Sequence, residues 1–275
     1  MRLSDWVVCV FFAYLIVVAR ARPVAAPTRL RVLVVSVVCA GSAVLLAQLP
    51  LSPLLRIIRD WLPGVYLLQG YWLCGRFWSG SMYGVEERLA RVDDWLFNAL
   101  GVRGWGARVP RAALETLELT YLAAYPLVAA GLIVVLQSGS EAAIDRYWTA
   151  VLVGGYACFG VLPWIQTRPP RMMTADEPYG DRPVLVRRLN HLVLDRGSVQ
   201  VNTFPSGHAS TTIAAALAVS EVDPAAGVLA GLVAVGVAVS AVAGRYHFAA
   251  DVLLGLLIGW GAWWAGGFFS YGVGP

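Results

Sequence analysis

Lysine is absent: all 21 basic residues of the 275-residue chain are arginine. That excludes Schiff-base chemistry on a lysine amine, and a composition biased towards Ala, Val, Gly and Arg accounts for the absence itself. Charge of either sign is scarce, at 14% of residues against the roughly 25% of a soluble domain. Together with 58% hydrophobic residues this argues against a soluble enzyme. The four cysteines, Cys9, Cys39, Cys74 and Cys158, form no CxxC pair and three of them lie inside apolar runs. Neither a disulfide framework nor a zinc site is expected from them. Internal repeats and low-complexity linkers are also lacking. The formal charge of +4 does not point to nucleic acid, because the arginines lie mostly in short segments between apolar stretches. That is the pattern of membrane topology.

What is present is a series of apolar stretches: Trp6 to Ala19, Val32 to Leu49, Leu117 to Leu136, Tyr147 to Ile165, Ala209 to Ser220, Ala225 to Ala243 and Ala249 to Phe268. Most approach the ~20 residues that a spanning helix needs. The fold class expected is all-α, a polytopic bundle in the membrane. Arg20 and Arg22 follow the first stretch at once, which suits a cytoplasmic anchor better than a cleaved signal peptide. The connection after it holds Arg20, Arg22, Arg29 and Arg31 without an acid, so the positive-inside rule assigns it to the cytoplasm.

An eighth apolar piece, Trp61 to Phe77, is interrupted by Pro63, Gly64, Gln69, Gly70 and Gly75 and is rich in Tyr and Trp. It reads as an interfacial or re-entrant segment that does not cross. On that reading Pro50 to Thr116 lies outside the cell; were the piece to cross, every later connection would change sides. Gly80 to Arg111 interleaves charged residues with Leu89, Val92, Leu96 and Leu100, the pattern of an amphipathic surface helix whose charged face is solvated.

Three polar strings stand at the ends of spans: Thr167 to Arg171, Phe204 to His208, and Gly244 to His247 followed by Asp251. Span parity places all three at one membrane face whichever way the protein is inserted. A helix opening at Pro205, Ser206 and Gly207 leaves backbone N–H groups unpaired, an anion cradle reinforced by the helix dipole. Arg168, Arg171 and Arg245 add planar forks suited to phosphate oxygens. His247 and Asp251 are four apart, so on a helix they share a face, and a carboxylate on one imidazole nitrogen leaves the other free to attack. His208 is then available as proton donor to a leaving oxygen. A metal held by His208, His247 and Asp251 is disfavoured by three neighbouring cations. Glu118 is expected near the same face, paired with one of the site arginines.

These strings resemble the signature of the type 2 phosphatidic acid phosphatase (PAP2) superfamily: Arg168-Pro169, Pro205 to His208, and Arg245, His247 and Asp251. There are departures. Val161 stands where the family has a lysine, and Ala241 where its third motif has the arginine. The Arg-Pro-Pro-Arg string and the short Arg-Tyr-His-Phe are closer to the branch of inositol phosphorylceramide synthases.

The resemblance implies a six-span core plus one extra N-terminal helix, divided as 1–31 (membrane helix and cytoplasmic loop) and 32–275 (catalytic domain). It implies His247 as nucleophile, His208 as general acid and Asp251 as its partner, with Arg168, Arg171, Ser206, Gly207 and Arg245 binding phosphate. No cofactor or metal, no nucleic acid and no obligatory protein partner is implied. The expected substrate is a lipid phosphate or diphosphate in the membrane, met at the extracytoplasmic face. The expected reaction is hydrolysis or head-group transfer to an alcohol such as inositol. A non-catalytic transporter or scaffold of the same fold is the alternative, and a vanadate-type haloperoxidase a more distant one.

Overall fold

The computed structural model describes residues 1–102, 104–173, 178–180, 182–201 and 203–271. Its helices are α1 (Leu3–Ala21), α2 (Ala26–Gln48), α3 (Pro53–Gly75), α4 (Tyr83–Ala99), α5 (Trp105–Arg108), α6 (Arg111–Leu122), α7 (Ala124–Gln137), α8 (Glu141–Val161), α9 (Leu185–Gly197), α10 (Gly207–Ser220), α11 (Pro224–Ala243) and α12 (Ala249–Tyr271). Their starts follow local chemistry. Pro53 and Pro224 open α3 and α11, where a missing N–H costs nothing. Asp223 accepts the Ala225 and Ala226 N–H groups, both at 3.0 Å. Ser140 caps α8 after Gly139, which takes the left-handed φ of +66° that turns the chain.

The protein is a multi-pass integral membrane protein. By length and composition α1, α2, α11 and α12 can each cross a bilayer, and α6 with α7 make a fifth span if the pair, bent by 59°, is taken as one. Pro126 lies just past the bend and cannot donate to the Leu122 carbonyl one turn back, which is the usual cause of such a break. A six-span core is therefore not established. Of the other stretches expected to span, α8 starts with Glu141, Asp145 and Arg146, and α10 has only 14 residues.

The segment Trp61 to Phe77 is not re-entrant. Nearly all of it lies in α3, which runs from one end of the bundle to the other. Near the start of α3, Asp60 binds Arg2 at 2.7 Å, its backbone oxygen accepts the Trp148 indole N–H at 2.7 Å, and Arg59 binds Asp5 at 3.0 Å. Near its end Tyr71 Oη pairs with Ser198 Oγ at 2.8 Å, and the Phe77 carbonyl accepts from the Gln166 amide at 2.6 Å. The glycines that looked like interruptions are sites of close packing. A Cβ on Gly70 would lie 2.8 Å from the Phe11 and Tyr156 rings, and one on Gly64 would lie 3.2 Å from Trp148.

Helix α1 packs into the bundle. Phe11 stacks on Tyr156 with ring centroids 3.8 Å apart, and Tyr14 Oη donates to the Gly160 carbonyl at 2.6 Å. Asp145 accepts the N–H groups of Leu3 and Ser4 at 2.8 Å, satisfying the open amides of the first turn of α1. The bundle thus has two distinct ends. One gathers Arg2, Asp60, Glu141, Arg146 and Glu221. The other holds all three polar strings and also the α1–α2 connection, since Arg22 reaches Ser79 Oγ at 3.4 Å and lies 5.6 Å over the Trp164 ring.

Helices α10 and α12 touch backbone to backbone. An added Cβ would clash with the Ser206 carbonyl oxygen at Gly255 and with the Ser210 carbonyl oxygen at Gly259, the small-residue spacing of close packing in lipid. Gly259→Val should force the pair apart at a cost of about 1–3 kcal/mol or more. A melting temperature in detergent several degrees below wild type is expected; an unchanged one would contradict the close approach.

Candidate active site

Backbone bonds stitch the three strings together. The Arg171 N–H donates to the Arg245 carbonyl at 3.1 Å, and Thr167 Oγ1 lies 3.2 Å from Thr203 Oγ1. The Ser206 N–H donates to the Asp251 carbonyl at 3.0 Å, while Ser206 Oγ caps α10 by accepting the Ala209 N–H at 3.3 Å. The cradle is thus smaller than the sequence suggested, because the Ser206 amide is spent on α12. Among the described residues the amides of Gly207 and His208 have no acceptor, as the first two N–H groups of a helix should not.

Both residues line a cavity of about 400 Å³ that also exposes His247 and Arg171. The His208 and His247 ring centroids are 6.2 Å apart and the rings stand at 88° to each other. His208 is held edge-on between Tyr121, at 5.6 Å, and Tyr125, at 5.2 Å. Asp251 is wholly buried; its Oδ2 accepts the Phe248 N–H at 3.1 Å and lies 3.4 Å from His247 Nδ1. At that distance the imidazole and the carboxylate face each other as an ion pair would, without a well-formed hydrogen bond. The arrangement directs Nδ1 to the carboxylate and leaves Nε2 as the available nitrogen. Away from the histidines the cavity wall is apolar, with Val65, Leu68, Val128, Ala129 and Trp148.

The three arginines are not equivalent. Arg171 reaches the cavity, 5.6 Å over the Tyr246 ring, and burial pulls its pKa below the usual arginine value. Arginine keeps its charge despite such a pull. Arg168 points elsewhere. Its Nε and Nη2 donate to Glu86 at 3.2 and 2.8 Å, its own N–H adds a third bond at 2.7 Å, and the carboxylate raises its pKa. Arg245, at a left-handed φ of +58°, offers its carbonyl to Arg171, and neither its side chain nor those of Arg168 and Ser206 line the cavity.

Sequence reasoning missed two acids on α4. Glu86, Leu89 and Asp93 form the buried face of that helix, spaced by three and four, so its charged residues are not all solvated. Asp93 accepts the Ala249 N–H at 2.9 Å and so caps α12 from outside. Burial pushes its carboxyl up to about 7 against the pull of the Ala249 N–H, and Asp251 and Asp94 add to the rise. The available signal was the 3-4 spacing of two acids around a leucine.

Glu118 is buried as well, but its partner is an arginine outside the three strings. Arg187 donates to it at 3.1 Å, Tyr179 and Asn190 at 2.7 Å and Tyr246 at 2.5 Å. Arg187 also donates to the Gly244 carbonyl at 3.1 Å, so the network fixes the third string. Among the described residues no three His, Cys, Asp or Glu side chains are grouped as metal ligands would be.

The PAP2 superfamily model matches residues 147–269, from α8 into α12, so the chain carries a PAP2-superfamily domain that includes all three strings. No curated protein and no solved structure matches the chain.

Two outcomes are expected. Glu118→Gln leaves Arg187 buried without a counter-charge, which costs about 3–5 kcal/mol in such pairs. Detergent melting should fall sharply and activity with it; unchanged melting and activity would remove the role assigned to the network. Asp93 ionises near 7 when folded and near ~3.9 when unfolded, so the folded state binds its proton more tightly. Its contribution to stability is greatest at low pH, declines as pH rises from about 4 to about 7 and is flat above that. Asp93→Asn should remove that decline from the melting temperature measured between pH 5 and 8. A persisting decline would assign it to another group.

Proposed function

We propose that the protein is a metal-independent lipid-phosphate phosphatase or phosphotransferase that works through a phosphohistidine. The observation that carries this reading is the gap between His208 and His247, closed on one side by Arg171 and continued by an apolar wall. The gap holds a phosphoryl group and the wall an aliphatic chain. The phosphate oxygens would take the Gly207 and His208 amides and the Arg171 fork, donors preorganised for the charge that grows in the transition state.

His247 Nε2 attacks phosphorus, and the N–P bond forms as the P–O bond to the lipid alcohol breaks. The leaving oxygen takes a proton from His208. Asp251 stabilises the imidazolium character that develops on His247. Water then gives its proton to His208 and attacks phosphorus, the N–P bond breaks, and phosphate and both histidines are restored. An alcohol in place of water gives head-group transfer by the same steps. Arg168 and Arg245 act from behind the cavity, by holding the strings in register.

One feature favours transfer as the second reading. The arginine that reaches the cavity is Arg171, the last residue of the Arg-Pro-Pro-Arg string that resembles the inositol phosphorylceramide synthase branch.

The test is phosphate release in detergent with EDTA present, from phosphatidate, lysophosphatidate and polyprenyl diphosphates. His247→Ala should abolish release, and Arg171→Ala should lower it by about 100-fold or more, as the loss of one oxyanion donor does. Release that survives His247→Ala would overturn the phosphohistidine. A folded wild type that neither releases phosphate nor transfers a head group to added inositol would favour the non-catalytic alternative.

A further inference from the structure

The two ends of the bundle differ greatly in arginine. Among the described residues the end with the polar strings carries Arg20, Arg22, Arg29 and Arg31, five more (Arg76, Arg88, Arg91, Arg108 and Arg111), six from Arg168 to Arg196, and Arg245, which makes 16 of 20. The opposite end has Arg2, Arg56, Arg59 and Arg146. Three of these four are neutralised by carboxylates: Arg2 by Asp60 and Glu141, Arg59 by Asp5, and Arg146 by Glu221.

Every connection at the string end is shorter than the ~60 residues within which the positive-inside rule operates. The rule counts basic residues and not net charge, so Glu86, Asp93 and Glu118 do not offset them. The end-to-end course of α3 removes the one step that placed the strings outside the cell. With it in place, the cytoplasmic α1–α2 connection and the three strings share a face, as the Arg22 contacts to Ser79 and Trp164 also show.

We propose that the His208–His247 cavity opens at the cytoplasmic face and draws its lipid phosphate from the cytoplasmic leaflet. The inner wall of the cavity is built by α3 on one side (Trp61, Val65, Leu68) and by α7 on the other (Tyr125, Val128, Ala129). The lipid tail then lies between these helices while the head group meets the histidines. A phosphate head group does not cross the hydrocarbon core unaided. The reaction that supplies the substrate must therefore leave its product in the cytoplasmic leaflet: transfer of a phosphoryl group, or of a phosphate-bearing head group, from a soluble donor to a lipid alcohol. Released phosphate returns to the cytoplasm. The lipid-phosphate part of this inference rests on the function proposed above; the orientation does not.

The test uses single cysteines at exposed positions, Ala25→Cys and Glu87→Cys at the string end and Ala142→Cys and Ala225→Cys at the other. The unsubstituted protein is the blank. A membrane-impermeant maleimide on intact cells should label positions 142 and 225, and should reach 25 and 87 only after permeabilisation. Labelling of 25 and 87 in intact cells, alone or together with the other pair, would overturn the orientation. In sealed vesicles without detergent, inverted ones should release phosphate from added lipid phosphate at least tenfold faster than right-side-out ones, and equal or opposite rates would overturn the cytoplasmic site. Labelling as expected with no turnover in either vesicle, or in detergent, would overturn the catalytic reading and leave the orientation standing.

Discussion

Asp251 is held from two sides, and the site depends on that double hold. Its backbone carbonyl takes the Ser206 N–H at 3.0 Å, and its carboxylate accepts the Phe248 N–H and faces His247. The first bond sets where α10 begins relative to α12, and so where His208 stands. The second sets the direction of the His247 ring. The first requires the two helices to lie closer than larger side chains would allow, which is why Gly255 and Gly259 face the Ser206 and Ser210 carbonyls. The separation of the two histidines thus follows from backbone contact in lipid, where close packing takes the place of the hydrophobic effect as the force between helices.

Behind the histidines three buried carboxylates do the holding. Glu86 clamps Arg168, Asp93 caps the start of α12, and Glu118 gathers Arg187, Asn190, Tyr179 and Tyr246. Each is paired or accepts hydrogen bonds, the condition for keeping an acid out of water. Their effect on the arginines is selective. Arg168 and Arg187 are committed to carboxylates, and Arg171 is the cation that the cavity sees. A fold that left all of these cations facing one pocket would meet strong mutual repulsion before substrate arrived.

The polar strings and their meeting at one face were legible because parity and short-range chemistry decide them. A histidine four residues before an aspartate and a Pro-Ser-Gly at a helix start mean much the same in any bundle. Glu86, Asp93 and the Glu118 partners were not legible, because their roles depend on tertiary neighbours 82, 156 and 69 residues away in the chain. The anion cradle was half legible: an N-cap fixes which amides are free of helical partners, but not that one of them would be taken by the carbonyl of a helix much later in the sequence.

Helix α3 shows how a local signal can be sound and its interpretation wrong. Gly64, Gly70 and Gly75 do lower helix propensity, and Pro63 does remove a hydrogen bond. In water those costs would end the helix; in a membrane the alternative is an unpaired backbone in hydrocarbon, which costs several kcal/mol per group. The same glycines gain contact with Trp148, Phe11, Tyr156 and Val199 that a Cβ would prevent. Because topology alternates, this single helix controls the side assigned to everything after it. The meeting of the three strings is insensitive to that choice, whereas the side they share with the α1–α2 connection depends on it. The arginine distribution bears on the orientation through how many cations lie at each end and not through how many helices precede them, and the four arginines of the α1–α2 connection are part of it. The end-to-end course of α3 puts the α1–α2 connection and the strings at one end of the bundle, and the 16 described arginines there support the proposed cytoplasmic site.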